Sequence, residues 1–236
     1  MTDKILQVEN LVVGYGGRPV LTDINVHVNA NEVLCLIGHN GAGKSTLLKT
    51  IFGLVPHESG RILFNGKAAG TEPRAMTIAG MSMVPEGRGV FPGMTVEETM
   101  SLGMWAAGVP EKERADRIEW VMSILPVMKK FYHTRAGNLS GGQQQMVSIG
   151  RALLSRPRCL LMDEPSIGLA PKLFQDLCGP IRELQKKTGM SILLVEQNVK
   201  EALKISDRVV VMKSGQMTWE GQPEELSDNK KLMELY

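Results

Sequence analysis

No run in this chain is apolar enough to cross a bilayer; the longest fall well short of the roughly 18 residues a span needs. Any membrane role is therefore expected to come through a partner. The start, MTDKILQVEN, carries acids and lacks both a long apolar core and a small-residue cleavage pattern, so no secretory signal is expected there. Cysteine is scarce. Cys35, Cys159 and Cys178 sit far apart, without metal-ligand spacing, and the first two lie in apolar runs. They read as small buried hydrophobes in a reduced, cytosolic protein. No charge of one sign dominates: the formal net charge is +2, and the lysine doublets Lys129–Lys130, Lys186–Lys187 and Lys230–Lys231 are scattered. A nucleic-acid partner, which needs a clustered basic patch, is not expected. The chain shows neither an internal repeat nor a low-complexity segment.

What is present is the material of one large domain. The 236 residues are 43% hydrophobic, and most of the 15 methionines fall at periodic, core-like positions. ILQVENLVV and VLTDINVHV partly alternate, as half-buried antiparallel strands do. EVLCLI (32–37) is a continuous apolar run that predicts a buried strand of a parallel sheet. KSTLLKTIFG predicts a helix closed by Gly53, and Asn65–Gly66 in GRILFNGK predicts a hairpin turn. Thr95 and Glu98 have capping-box spacing, followed at helical spacing by Val96, Met100, Met104 and Ala107. Gly108 and Pro110 interrupt, and a second helix is expected to bury Ala115, Ile118, Met122 and Leu125. RCLLMDEP and SILLVEQ predict buried strands flanking a long helix around 171–188, in which Gly179–Pro180 marks a kink or break. A terminal hairpin turns at Ser214–Gly215. The expected architecture is α/β: a mostly parallel sheet covered by helices, with an N-terminal antiparallel β part and an inserted helical part. The domain spans 1–236, with about 1–89 and 151–236 forming the core and about 90–150 the helical insertion.

Three runs carry chemistry. GHNGAGKST (38–46) fits G-x-x-x-x-G-K-[ST] between a buried strand and a helix, the context that defines a phosphate-binding P-loop. Gly38, His39, Asn40, Gly41, Ala42, Gly43 and Thr46 supply the loop whose backbone N–H groups cradle phosphates. Lys44 is expected to reach the β- and γ-phosphates and Ser45 to ligate Mg²⁺. CLLMDEP (159–165) ends an apolar strand in two acids: Asp163, placed to hold Mg²⁺ through its water shell, and Glu164, suited to act as general base for the attacking water. In NLSGGQQQM (138–146), Ser140, Gly141, Gly142 and Gln143 open a helix with bare backbone, a second anion-binding start.

Over essentially its whole length the sequence resembles the ATP-binding subunit of ABC transporters. GHNGAGKST looks like the Walker A motif of that family, LSGGQ its signature and LLMDEP its Walker B. VPEGRGVFPGMTVEE, DEPSIGLAP and LLVEQN narrow the resemblance to the LivF type, one of two ATPase subunits of branched-chain amino-acid importers. The resemblance implies a P-loop NTPase fold and ATP hydrolysis with Mg²⁺. It also implies a head-to-tail dimer, homo- or heteromeric, in which the Ser140–Gln143 segment of one copy faces the P-loop of the other. Membrane permease subunits, docked by the helical block around 90–136, and indirectly an external solute-binding protein complete the implied assembly. The implied location is cytoplasmic, peripheral on the inner face of the cell membrane. Tyr15 matches the aromatic that stacks on adenine; a partly buried strand residue is the other reading.

Three positions depart from the broad family. Glu86 stands where most members have glutamine, at a position touching the metal and water site and abutting the segment that contacts the permease. It joins the metal's outer shell, pairs with Arg88 when ATP is absent, or is a solvated marker of the subfamily. Gln197 replaces the usual histidine near the γ-phosphate; it can donate a hydrogen bond but cannot take up a proton. Ala170 replaces an aspartate of the loop that reaches across the dimer. These changes favour a rival reading, an ATP-gated module that closes but hydrolyses poorly, against which Glu164 argues. A soluble, non-transport ABC protein is a third reading, disfavoured because the chain has neither long coiled coils nor a second such domain.

Overall fold

The computed structural model describes residues 3–87 and 89–226. Lys230–Lys231 and the pairing of Glu86 with Arg88 lie outside the described residues. The chain opens with two long strands, β1 (Lys4–Tyr15) and β2 (Arg18–Asn29). Leu6, Val8, Leu11 and Val13 of the first, and Leu21, Ile24, Val26 and Val28 of the second, are buried. Alternate positions face one core, with the phase shifted by one residue at Asn10 and Asp23, both at positive φ, as in a bulged, one-sided antiparallel pair. β3 (Val33–Ile37) is buried throughout and leads into α1 (Lys44–Ile51). β4 (Ser59–Phe64) and β5 (Lys67–Ala68) form a hairpin. Asn65 and Gly66, at φ 50° and 71°, supply the two left-handed residues its turn requires.

After α2 (Pro73–Ala79) and β6 (Met81–Val84) the chain becomes helical. α3 (Val96–Ala106) begins with the expected capping box: Thr95 accepts from the Glu98 N–H, and Glu98 accepts from the Thr95 N–H. α4 (Glu111–Ile124), two short 3-10 turns and α5 (Gly141–Leu153) follow. The α/β rhythm then returns with β7 (Cys159–Asp163), α6 (Pro171–Thr188), β8 (Ser191–Glu196) and α7 (Val199–Leu203). The hairpin β9 (Arg208–Lys213) and β10 (Gln216–Gly221) turns at Ser214–Gly215 as expected.

The strands form two sheets. One is antiparallel, in order β2-β1-β4-β5; the other has six strands in order β10-β9-β3-β8-β7-β6. Within the second, β9, β3, β8, β7 and β6 run parallel and β10 is antiparallel to β9. This larger sheet separates two cores. Leu34, Leu36, Leu161, Leu193 and Val210 point toward the antiparallel sheet and α1. Cys35, Ile37, Leu160, Met162 and Leu194 point toward the helical block and α6. All three cysteines are buried. In the second core, methionines of α3 and of the first 3-10 turn close over α5. A Cβ on Gly150 of α5 would lie 2.7 Å from the Met100 methyl and 3.1 Å from the Met128 sulfur.

One local expectation needs correction, one is settled in part, and one element was not expected. Ala115 is exposed, and Val121 takes the inward place, because only the C-terminal half of α4 reaches the core. The exposed half is supported instead by the i,i+4 pair Glu113–Arg117. α6 is one continuous helix through Pro180, which excludes a break at Gly179–Pro180 but leaves the kink reading standing; Pro180 removes one helix N–H. Burial of Phe174, Leu177, Ile181 and Leu184 on one face holds the helix across that gap. α2 carried no signal that periodicity could read, since it has seven residues and only Met76 is buried.

Candidate active site

The ends of four parallel strands open on one edge of the larger sheet. Register pairs Ile37 of β3 with Glu196 of β8, and Asp163 of β7 with Val195 of β8. The loops leaving these ends surround a cleft of about 390 Å³. Asn40, Gly41, Gly43, Lys44, Ser45 and Thr46 line it from the P-loop side. Glu86, Glu164 and Gln197 line it from β6, β7 and β8. Val20 and Ile167, which the sequence did not single out, complete the wall.

The P-loop is braced from behind. A Cβ on Gly38 would meet the Met212 carbonyl oxygen at 2.2 Å, so no larger residue fits. Gly43 has φ 101°, and a Cβ there would lie 2.6 Å from Leu21 Cδ2. The Gly215 N–H donates to the Ala42 carbonyl at 3.0 Å, tying the loop to the β9–β10 turn. Gly43 caps α1 without any side chain, so the first-turn N–H groups of that helix remain free of a side-chain cap. Lys44 is buried, and its ammonium donates to the carbonyls of Gly38 (2.7 Å) and His39 (3.0 Å).

Three buried carboxylates stand opposite. Ser45 Oγ donates to Asp163 Oδ1 at 2.9 Å. Asp163 Oδ2 is buried and has no hydrogen-bond partner. Burial pushes the Asp163 carboxyl above its ordinary range, the charges of Glu164 and Glu86 add to that, and the Ser45 bond opposes it. An orphaned carboxylate oxygen beside a serine hydroxyl is a donor set that suits a small hard cation. Among the described residues no three histidine, cysteine or acidic side chains form a metal-binding group. A cation there would take most of its ligands from phosphate and water, which is how Mg²⁺ is commonly held. Glu164, 7% exposed, has φ 48°, an uncommon backbone conformation for a non-glycine residue. Its Oε1 lies 3.6 Å from the Lys44 ammonium, and its Oε2 accepts from the Gln197 amide. Glu196, 0% exposed, was missed by the sequence reading. The available signal was an acid closing an otherwise apolar strand. Burial pushes its carboxyl up, against hydrogen bonds from Ser166, Asn198 and Gln197 that pull it down.

The model of the ABC transporter family matches residues 21–167. The chain belongs to the ABC transporter family. It is an ATP-binding cassette, an ATPase of the kind that powers transport. It is 38% identical over 98% of its length to the high-affinity branched-chain amino acid transport ATP-binding protein BraG of Pseudomonas aeruginosa, 99% of which is covered. It is 35% identical over 98% of its length to the probable branched-chain amino acid transport ATP-binding protein LivF of Archaeoglobus fulgidus, 98% of which is covered. A solved ATP-binding cassette of an ABC transporter, MJ1267, superposes with a TM-score of 0.89 at 30% identity, covering 100% of this chain and 99% of that one.

The remaining expected residues of the cassette lie outside the cleft lining. Tyr15 is the last residue of β1 and is 51% exposed. Gly38 and Ala42 are buried within the P-loop, and His39 is exposed on it. Ser140 to Gln143 start α5 away from the cassette's own cleft, with Ser140 and Gln143 in a reciprocal capping box. A Cβ on Gly142 would meet Leu173 at an ordinary 3.5 Å, so intrachain packing does not demand glycine there. Ala170 is the N-cap of α6 and offers it no side-chain bond. No helix among the described residues is long and apolar enough to cross a membrane.

Proposed function

We propose that this cassette hydrolyses ATP in the cleft at the strand ends to drive import of branched-chain amino acids through a separate permease. The observation that carries the chemistry is the convergence of Lys44, Ser45, Glu164 and Gln197 on one cleft, with the buried Asp163 bonded to Ser45 directly behind its lining. The solute assignment rests on the likeness to BraG and LivF.

The P-loop amides and Lys44 bind the phosphates, and Tyr15 stacks on the adenine. Ser45 and Asp163, with Glu86 on the same cleft, would hold Mg²⁺, which would neutralise charge on the bound phosphates. Glu164 takes the proton of the attacking water as general base. Gln197 donates to Glu164 and fixes its orientation, a role that needs no proton transfer. Ser140 to Gln143 of a second cassette close the cleft and stabilise charge developing on the γ-phosphate. An apolar groove of about 620 Å³ lies between the β6 edge and α3, lined by Phe91, Leu102 and Trp105 among others. Trp105 is 69% exposed, and this groove is the surface offered to the permease, with the cassette peripheral on the cytoplasmic face.

The test is reconstitution with permease and solute-binding protein in vesicles, following ATP hydrolysis and uptake of labelled leucine, isoleucine and valine. Mg²⁺- and ATP-dependent uptake of at least one is expected. Hydrolysis without uptake of any of them overturns the solute assignment and leaves the ATPase standing.

Glu86 lies on the path from cleft to groove, since it follows β6, whose Met83 lines the groove. Glu86→Gln is expected to lower solute taken up per ATP hydrolysed about fivefold or more, the low end of intersite coupling energies. An unchanged ratio in the same vesicles removes Glu86 from the coupling path.

A further inference from the structure

The Glu196 side chain lies outside the cleft lining but commands the two loops that carry the reacting groups. It is the last residue of β8, directly beside β7, and its carboxylate is fully buried. Oε1 accepts the Ser166 N–H at 2.9 Å, and Oε2 accepts the Ser166 hydroxyl at 2.7 Å. Oε2 also accepts the N–H groups of Gln197 at 3.1 Å and Asn198 at 3.3 Å. The Ser166 bonds pin the loop that runs on from Glu164 and places Ile167 on the cleft wall. The Gln197 and Asn198 bonds pin the segment whose Gln197 amide reaches back to Glu164. One carboxylate therefore holds the backbone on both sides of the Glu164–Gln197 contact.

We propose that Glu196 is a positioning residue for ATP hydrolysis, clamping the loop at Ser166 to the segment at Gln197 so that the Glu164 carboxylate faces the attacking water. The inference rests on the reading of Glu164 as the base. It is supported by the backbone at Glu164. A residue at φ 48° persists only where its surroundings over-determine it. The Glu164 N–H is held by the Val195 carbonyl at 2.9 Å, and the Ile167 N–H is held by the Glu164 carbonyl at 3.1 Å. Glu196 fixes Ser166, inside that short turn, and Gln197, beyond Val195. It is suited to the task because an ionised carboxylate is acceptor only, and all four of its partners here are donors. A carboxamide of equal size cannot reproduce this. With its oxygen at the three-donor position, its amine would face the Ser166 N–H, donor against donor.

The bland alternative is that Glu196 merely stabilises the strand end. The two differ in what a substitution changes. Glu196→Gln and Ser166→Ala would be purified as full-length chains beside the parent, with active sites counted by stoichiometric ATP binding under non-hydrolysing conditions. A positioning role lowers kcat per ATP-binding site while ATP affinity stays within about twofold, because no phosphate-binding group is touched. The expected loss for Glu196→Gln is roughly 10- to 100-fold, the scale of a displacement near 1 Å. Ser166→Ala, which keeps the carboxylate and two backbone bonds, is expected to lose less. The double variant is expected to be no worse than Glu196→Gln alone, since both act through one link. If kcat per binding site is unchanged, or if ATP affinity falls in step with kcat, the assignment is overturned. Should Glu196→Gln fail to fold, Ser166→Ala alone decides: an unchanged kcat overturns the clamp and a selective loss supports it. A parent chain that binds ATP but hydrolyses none in any assembly, permease included, defeats the function proposed above rather than this inference.

Discussion

Glu164→Gln is expected to lower kcat for ATP hydrolysis by roughly 10²- to 10⁴-fold, the contribution of a positioned general base, while ATP stays bound. The substitution keeps the size of the side chain, and glutamine can still accept from Gln197, so the geometry of the cleft is retained. What it removes is basicity and one negative charge beside the triphosphate. Loss of the base stops water activation, and loss of the charge relieves repulsion of the nucleotide. The two effects act together to populate an ATP-bound state, and if two cassettes close on ATP that state is a stable dimer. Size-exclusion chromatography in Mg-ATP, with hydrolysis assayed in parallel, checks both. A variant that stays monomeric in ATP and still turns over near the parent rate refutes the base and the paired site together.

Lys44→Ala is expected to fail in the opposite way, by losing the nucleotide. Truncating one member of a buried, charge-assisted contact costs about 2–5 kcal/mol, roughly 30-fold to a few thousand-fold in affinity. The lower part of that range applies here. Without nucleotide the ammonium is already bonded to the Gly38 and His39 carbonyls. ATP binding therefore exchanges acceptors rather than creating bonds from nothing, and only the difference appears as affinity. Removal of Lys44 also leaves Glu164 without the cation 3.6 Å away, so a carboxylate faces the γ-phosphate with less compensation. Titration with a fluorescent ATP analogue separates the two variants. Glu164→Gln holds it at least as tightly as the parent, and Lys44→Ala holds it about 30- to 300-fold more weakly. Parent-like affinity in Lys44→Ala would remove this lysine from phosphate binding.

Much of this was legible in the sequence because the signals are local. The P-loop is contiguous, its glycines are required by close approach and backbone conformation, and the strand before it is apolar at every position. The capping box of α3 and the Asn65–Gly66 turn are likewise decided by residues a few places apart. The failures are equally physical. α6 continues through Pro180 because packing on the sheet outweighs one lost hydrogen bond, a balance that the helix's own sequence does not contain. Ala115 obeys the helical period yet faces solvent, because periodicity marks a face but not how far the core extends beneath it. Glu196 was passed over because its meaning depends on Ser166, thirty residues away in the chain and adjacent only once β7 and β8 pair. Its neighbour Gln197 drew attention as a departure from a motif, whereas an acid closing an apolar strand marks a buried carboxylate without saying which groups it holds.

The contact between α3 and α5 adds a mechanical property to the cassette. Unbranched thioethers wrap over the bare backbone of Gly150, where a branched side chain would interlock. A slide of one helix along the other can be absorbed by turning sulfur–carbon torsions, without opening voids in the close-packed interior. A small shift of the helical block across the sheet would therefore cost less at this joint than at one filled by branched side chains.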